Sequence, residues 1–112
     1  MIDSVEDRKK AHEAVFKKKE DIRFKAEARR NKLLGLWLAE AFGIIGEDAD
    51  AYAKEVVIAD LEEPGIEDVM RKVMADIERH GVDISDPQVR AKIDELDDVA
   101  FDQVCEEEGI EC

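Results

Sequence analysis

From Ser4 to Phe42 the chain contains no proline and one glycine, Gly35. Ser4 followed three residues later by Asp7 reads as an N-cap with an acidic N3. A helix of roughly 38 residues fits the run, about 57 Å at 1.5 Å per residue, with Gly35 as its one interruption. Its two halves differ. Glu6, Glu13, Glu20 and Glu27 recur every seven residues, and Lys18, Lys25 and Lys32 form a second stripe. Glu6 with Lys10, Glu13 with Lys17 and Asp21 with Lys25 are i,i+4 pairs in the favourable orientation, each worth about 0.2–0.5 kcal/mol. Large apolar residues are sparse before Ile22. Val5 and Phe16, with His12 between them, share one narrow face. Such a segment is helix-capable but has little to bury, so it is expected to fray when free and to order on a partner.

Beyond Arg30 the character changes. Leu33, Leu34, Leu36, Trp37, Leu38, Ala41 and Phe42 cover most of a helix circumference. Gly43 and Gly46 then supply a C-cap and a turn. A second helix is predicted from Glu47 to Glu62, with Ala49, Tyr52, Ala53, Val56, Val57 and Leu61 in a 3.6 period, broken by Pro64-Gly65. A third, about 66–80, carries Ile66, Val69, Met70, Val73 and Ile77 and stops at Arg79-His80-Gly81. Ser85-Asp86-Pro87-Gln88 reads as N-cap, early proline and capping-box glutamine. It opens a fourth helix, about 86–107, with Val89, Ile93, Leu96, Ala100 and Val104 inward. Short connections favour packed neighbours. The expected fold is all-α: a four-helix bundle with a long first helix whose N-terminal part projects or is mobile. Residues 1–20 form the basic arm and 21–112 the bundle.

Charge separates these parts. Of 112 residues, 17 are Lys or Arg and 30 are Asp or Glu, for a net charge of −13. Residues 1–32 nevertheless carry a net of +4, and 33–112 a net of −17. An acidic body of this strength argues against nucleic acid and anionic membrane as main partners. No apolar run approaches the ~18 residues that would suggest a membrane span, and the N-terminus has no apolar signal core. The chain is therefore expected to stay in the compartment where it is made, without membrane insertion.

Sites of chemistry are scarce. There is no Gly-rich phosphate loop and no Gly-x-Ser-x-Gly. Carboxylates at helical spacing, such as Asp94, Asp97 and Asp98, are expected from so acidic a chain and read as a solvated face. Asp83-Ile84-Ser85-Asp86 lacks an EF-hand pattern. Trp37 and Tyr52 read as core, His80 as a charge partner for a helix C-terminus, and His12 as a lone exposed side chain. If Cys105 and Cys112 were both helical they would stand ~10 Å apart, too far for a disulfide. Reduced thiols without zinc are expected. No catalytic, cofactor or metal residues are nominated. One minor alternative, a low-affinity nucleotide sensor, rests on Lys25, Arg29 and Lys32 beside Trp37.

The run Phe24-Lys-Ala-Glu-Ala-Arg-Arg-Asn-Lys-Leu-Leu-Gly-Leu-Trp37 resembles the signature of the ζ-type inhibitor subunit of α-proteobacterial F-type ATP synthases. Asp50-Ala-Tyr-Ala-Lys-Glu-Val-Val57, Glu67-Asp68-Val69 and Val82-Asp-Ile-Ser-Asp86 are similar to the same family, in order, and the resemblance spans about Val5 to Val104. It implies a four-helix bundle with a mobile N-terminal segment. That segment becomes helical at a catalytic α/β interface near the γ subunit and blocks rotation in the hydrolysis direction. The implied partner-binding residues are Val5, Glu6, Asp7, Arg8, Ala11, His12, Glu13 and Phe16. Glu6-Asp7-Arg8 matches the family's acid-acid-Arg start, whereas Val5 and His12 stand where the family typically has Phe. The implied partners are the α, β and γ subunits of the catalytic head. The implied protein is a monomer when free and cytoplasmic, held at the inner membrane through the ATP synthase. It is not an enzyme and needs no cofactor. The alternative is a module that binds the ATP synthase, or another protein, with weak or no inhibition.

Overall fold

In the computed structural model the backbone is described for residues 4–60 and 65–110, and side chains for 19–60 and 65–110. Four helices follow one another: α1 (Ser4–Phe42), α2 (Glu47–Asp60), α3 (Glu67–His80) and α4 (Asp86–Glu108). No strand occurs among the described residues. The expected all-α, four-helix architecture is observed. The predicted end of α2 at Glu62 and its break at Pro64 lie outside the described residues.

α1 is a single helix of 39 residues, and the molecule is elongated, 67 × 26 × 21 Å. Each of the other helices packs on α1. Gly35 does not interrupt it. A Cβ at position 35 would lie 2.5 Å from Ala53 Cα, so the missing side chain lets the α2 backbone cross α1 at close range. What reads locally as a helix weakness is a packing contact.

The main core lies in the C-terminal half of α1. Leu34 and Leu38 of α1, Val56 of α2, Val69 and Val73 of α3, and Val89 of α4 are fully buried. They belong to one cluster with Tyr52, Met70, Ile77, Ile93 and Leu96. Removing this much aliphatic surface from water is the dominant stabilising term, at ~25 cal/mol per Å². A second, smaller cluster sits further toward the N-terminus of α1. There Ile22 and Ala26 meet Val104 and Cys105 of α4, and Ile110 packs against them.

Helix ends follow the sequence signals. Ser85 Oγ accepts a hydrogen bond from Gln88 N at 3.3 Å, and Ser85 N donates to Gln88 Oε1 at 2.8 Å. That is the predicted capping box, with proline in the first turn. α1, α3 and α4 close in the same way. Each is followed by a glycine of positive φ and then an apolar residue whose N–H donates five residues back. The bonds are Ile44 to Ala39 O at 2.8 Å, Val82 to Ile77 O at 3.2 Å and Ile110 to Cys105 O at 3.0 Å. This double closure satisfies carbonyls that the last turn would otherwise leave open.

One expectation is corrected. Cys105 is disulfide-bonded, and the chain has one other cysteine, Cys112. The expectation of two thiols required a helix running through both positions. α4 instead stops at Glu108, and Gly109, at φ 70°, turns the chain away from the helical path.

Candidate partner-binding arm and its base

The sequence-nominated residues Val5, Glu6, Asp7, Arg8, Ala11, His12, Glu13 and Phe16 all lie in the N-terminal half of α1. Their side chains are outside the described residues. What the structure defines is the base from which this half extends. Lys19, Glu20 and Asp21 are exposed, Ile22 is buried at 3% exposure, and Ala26 is buried one turn later. Among the α1 residues whose side chains are described, Ile22 is therefore the first that the bundle buries.

Polar contacts reinforce that packing, to α4, to the end of α2 and within α1 itself. Lys25 Nζ donates to Glu108 Oε1, and this carboxylate raises the Lys25 ammonium above its ordinary range, first through the hydrogen bond and then through its charge. Arg29 forms a fork on Glu107 at 2.7 and 2.8 Å and reaches Gln103 Oε1 at 3.0 Å. Arg30, 7% exposed, donates to Asp97 Oδ1 at 3.0 Å and approaches Asp60 at 4.0 Å. It also donates from Nε and Nη2 to Asn31 Oδ1 at 3.2 and 3.1 Å. A buried guanidinium needs such partners, because leaving it unpaired costs several kcal/mol.

These pairs change the reading of the basic residues. Lys25 and Arg29 already face acceptors on α4, and Trp37 is about 120° around the helix from Lys25. Trp37 is half-buried against the main core, with Lys92 Nζ 5.4 Å from its ring centroid. Lys32 remains exposed. The four residues do not converge, and the nucleotide reading loses the arrangement on which it rested. Asp97, read as part of a solvated acidic face, is instead a partner of Arg30.

A second polar node was not legible in the sequence. Asp76, 5% exposed, accepts from Tyr52 Oη at 2.8 Å, Lys72 Nζ at 3.1 Å and Arg79 Nη2 at 2.8 Å. Burial first, and the bond to Asp76 second, push the Tyr52 phenol above its ordinary range. Tyr52 also meets Phe42 edge-on at 5.5 Å, and His80 stacks on Phe42 at 4.2 Å. His80, expected as a charge partner for the α3 terminus, thus also covers an aromatic ring. These contacts fasten the far end of the bundle. Among the described residues, no group of three or more His, Cys, Asp or Glu is placed to hold a metal ion.

A family model described as ATPase inhibitor subunit zeta matches residues 2–103. The chain belongs to that family. The ATPase inhibitor subunit zeta family thus spans both the arm and the bundle. Among solved structures, the chain is similar to one determined by solution NMR, with 53% sequence identity and a TM-score of 0.69. The match covers 77% of this chain and 98% of that one. No curated protein matches. As a zeta-family chain the protein is a regulatory subunit associated with an ATP synthase. No described helix is long and apolar enough to cross a membrane.

Proposed function

We propose that this zeta-family protein inhibits ATP hydrolysis by an F-type ATP synthase through its N-terminal arm. In this reading residues 1–20 enter a catalytic α/β interface near γ and block reverse rotation, while the bundle stays outside and carries the arm. The observation that supports it is the exposed stretch of α1 just before its first described buried residue. α1 is helical from Ser4, and among its residues with described side chains the first buried one is Ile22. Lys19, Glu20 and Asp21, which lead from the nominated residues to Ile22, are exposed, and a helix entered through an exposed stretch is suited to fill a groove on another protein. Charge is consistent with this division: the arm lies in the net-basic first third, and the rest is strongly acidic. Val5, Glu6, Asp7, Arg8, Ala11, His12, Glu13 and Phe16 are the proposed contacts. The site of action is the cytoplasmic face of the inner membrane, reached by association with the enzyme.

The test is ATP hydrolysis by an α-proteobacterial ATP synthase stripped of its own zeta subunit. The full chain should inhibit, and a chain starting at Asp21 should not. Binding of the full chain without inhibition would replace this reading with that of a non-inhibiting module.

A further inference from the structure

Phe24, Ala28, Asn31 and Gly35 fall at helical spacing on one face of α1, and α2 crosses that face at Ala53. Asn31 is 1% exposed there. Its Oδ1 accepts from both Nε and Nη2 of Arg30, at 3.2 and 3.1 Å. Those two donors fix the amide, because turning it over would set N–H against N–H. Nδ2 is therefore held on the side away from the guanidinium. It is buried and has no hydrogen-bond partner among the described residues. A buried donor left so carries its full desolvation cost.

Asn31 borders a small cavity of 20 Å³, together with Phe24, Glu27, Ala28, Val57 and Asp60. We propose that this cavity binds one ordered water, which accepts from Asn31 Nδ2 and donates to the Asp60 carboxylate. The size fits: a water needs about 10–15 Å³ of room, and little larger could enter. The chemistry of the walls selects the same occupant. A cation at Nδ2 would face a donor, so the carboxylates of Glu27 and Asp60 do not make this a cation site. The same carboxylates repel an anion. What fits is a neutral molecule that both accepts and donates. Asp60 has lone pairs to receive its proton. The Asp60 side chain is 16% exposed, and Arg30 Nη2 stands 4.0 Å from its Oδ2, beyond hydrogen-bonding distance. Glu27 and Asp60 also wall a wider cleft of 200 Å³ with Arg30, Gly65 and Ile66, which gives water a way in.

The water completes a polar chain from Asp97 through Arg30 and Asn31 to Asp60, and so ties α4, α1 and the end of α2 together. A bridging water of this kind is nearly as good as a direct hydrogen bond. The site stands whether or not the arm inhibits hydrolysis.

Solution NMR of the full chain tests it. The Asn31 side-chain amide protons should show a cross-peak at the water frequency, with the opposite signs in NOE and ROE spectra that mark a bound water. Direct proton exchange gives the same sign in both. Arg30 protons exchanging with solvent could relay a similar peak, but relay fades as the pH is mildly lowered, whereas the peak of a bound water persists. Val57→Ile adds a methyl group at the cavity wall and should expel the water. The peak should vanish, and the folding equilibrium constant from urea titration should fall roughly fivefold as Nδ2 loses its acceptor. A dry cavity predicts no peak in the parent chain and a variant stabilised by the added methyl. Absence of the peak from the parent chain overturns the proposal, as does a peak that fades with pH or survives in folded Val57→Ile. So does a variant as stable as the parent or more so. If Val57→Ile does not fold, the parent peak and its persistence at lower pH decide.

Discussion

Three donors from two helices converge on the buried side chain of Asp76. The structure therefore separates two substitutions. Tyr52→Phe removes one donor and leaves Lys72 and Arg79 in place, and should cost about 1 kcal/mol. Asp76→Ala leaves the buried phenol without its acceptor and should cost about 2–3 kcal/mol. Urea denaturation of both variants measures the difference. Gly35→Ala is a second discriminating change. In an uncrowded helix it would stabilise by roughly 1 kcal/mol. Here the added Cβ meets backbone at Ala53, which cannot rotate aside, so a loss of about 1–3 kcal/mol is expected. On the arm, Val5→Phe with His12→Phe introduces the aromatic residues that the resemblance implies at these two positions. Under the proposed mechanism, the doubly substituted chain should inhibit hydrolysis at a lower concentration, which titration against the stripped ATP synthase would show. Single residues were the least legible scale. Tyr52 was readable as core from its helical period, but its bond to Asp76 spans 24 positions. With 30 acidic residues in the chain, no local pattern marks Asp76 or Asp97 as the ones with buried partners.

The helices were far more legible, because their signals are local. The apolar period fixes which faces turn inward, and the residues predicted inward on α4 are all buried. Ser85 and Gln88 sit at the spacing a reciprocal cap requires, and they form it. Ser85→Ala should lower stability by about 1 kcal/mol, measurable as a shift in the urea midpoint. The failure at Cys105 is also a matter of a helix end. Gly109-Ile110 repeats the pattern of Gly43-Ile44 and Gly81-Val82, glycine followed by an apolar residue. The fourth helix, expected over about 86–107, ends at Glu108, so that expected end was already at odds with one helix carrying both cysteines. Once α4 stops there, the ~10 Å separation for two helical cysteines no longer applies.

At the scale of the whole molecule, charge and apolar density divide the sequence into two unlike parts, and among the described side chains of α1 the first buried one is Ile22. The partner was not readable from periodicity, since a solvated helix and an inserting one share the same spacing. It came instead from the resemblance to a family. A chain starting at Asp21 should keep a cooperative thermal transition and the helical circular dichroism of the bundle, while losing inhibition. A further consequence follows from α1 being one helix from Ser4 to Phe42. Arm and bundle share a single helical phase. One residue inserted between Lys18 and Lys19 would turn the arm by about 100° relative to the bundle, while advancing it only ~1.5 Å. Four inserted residues would advance it ~6 Å but bring it back to within about 40° of its original azimuth. If a partner engages both parts at once, tolerance of such insertions would be set by azimuth as much as by reach, and the bundle would serve as the index that orients the arm.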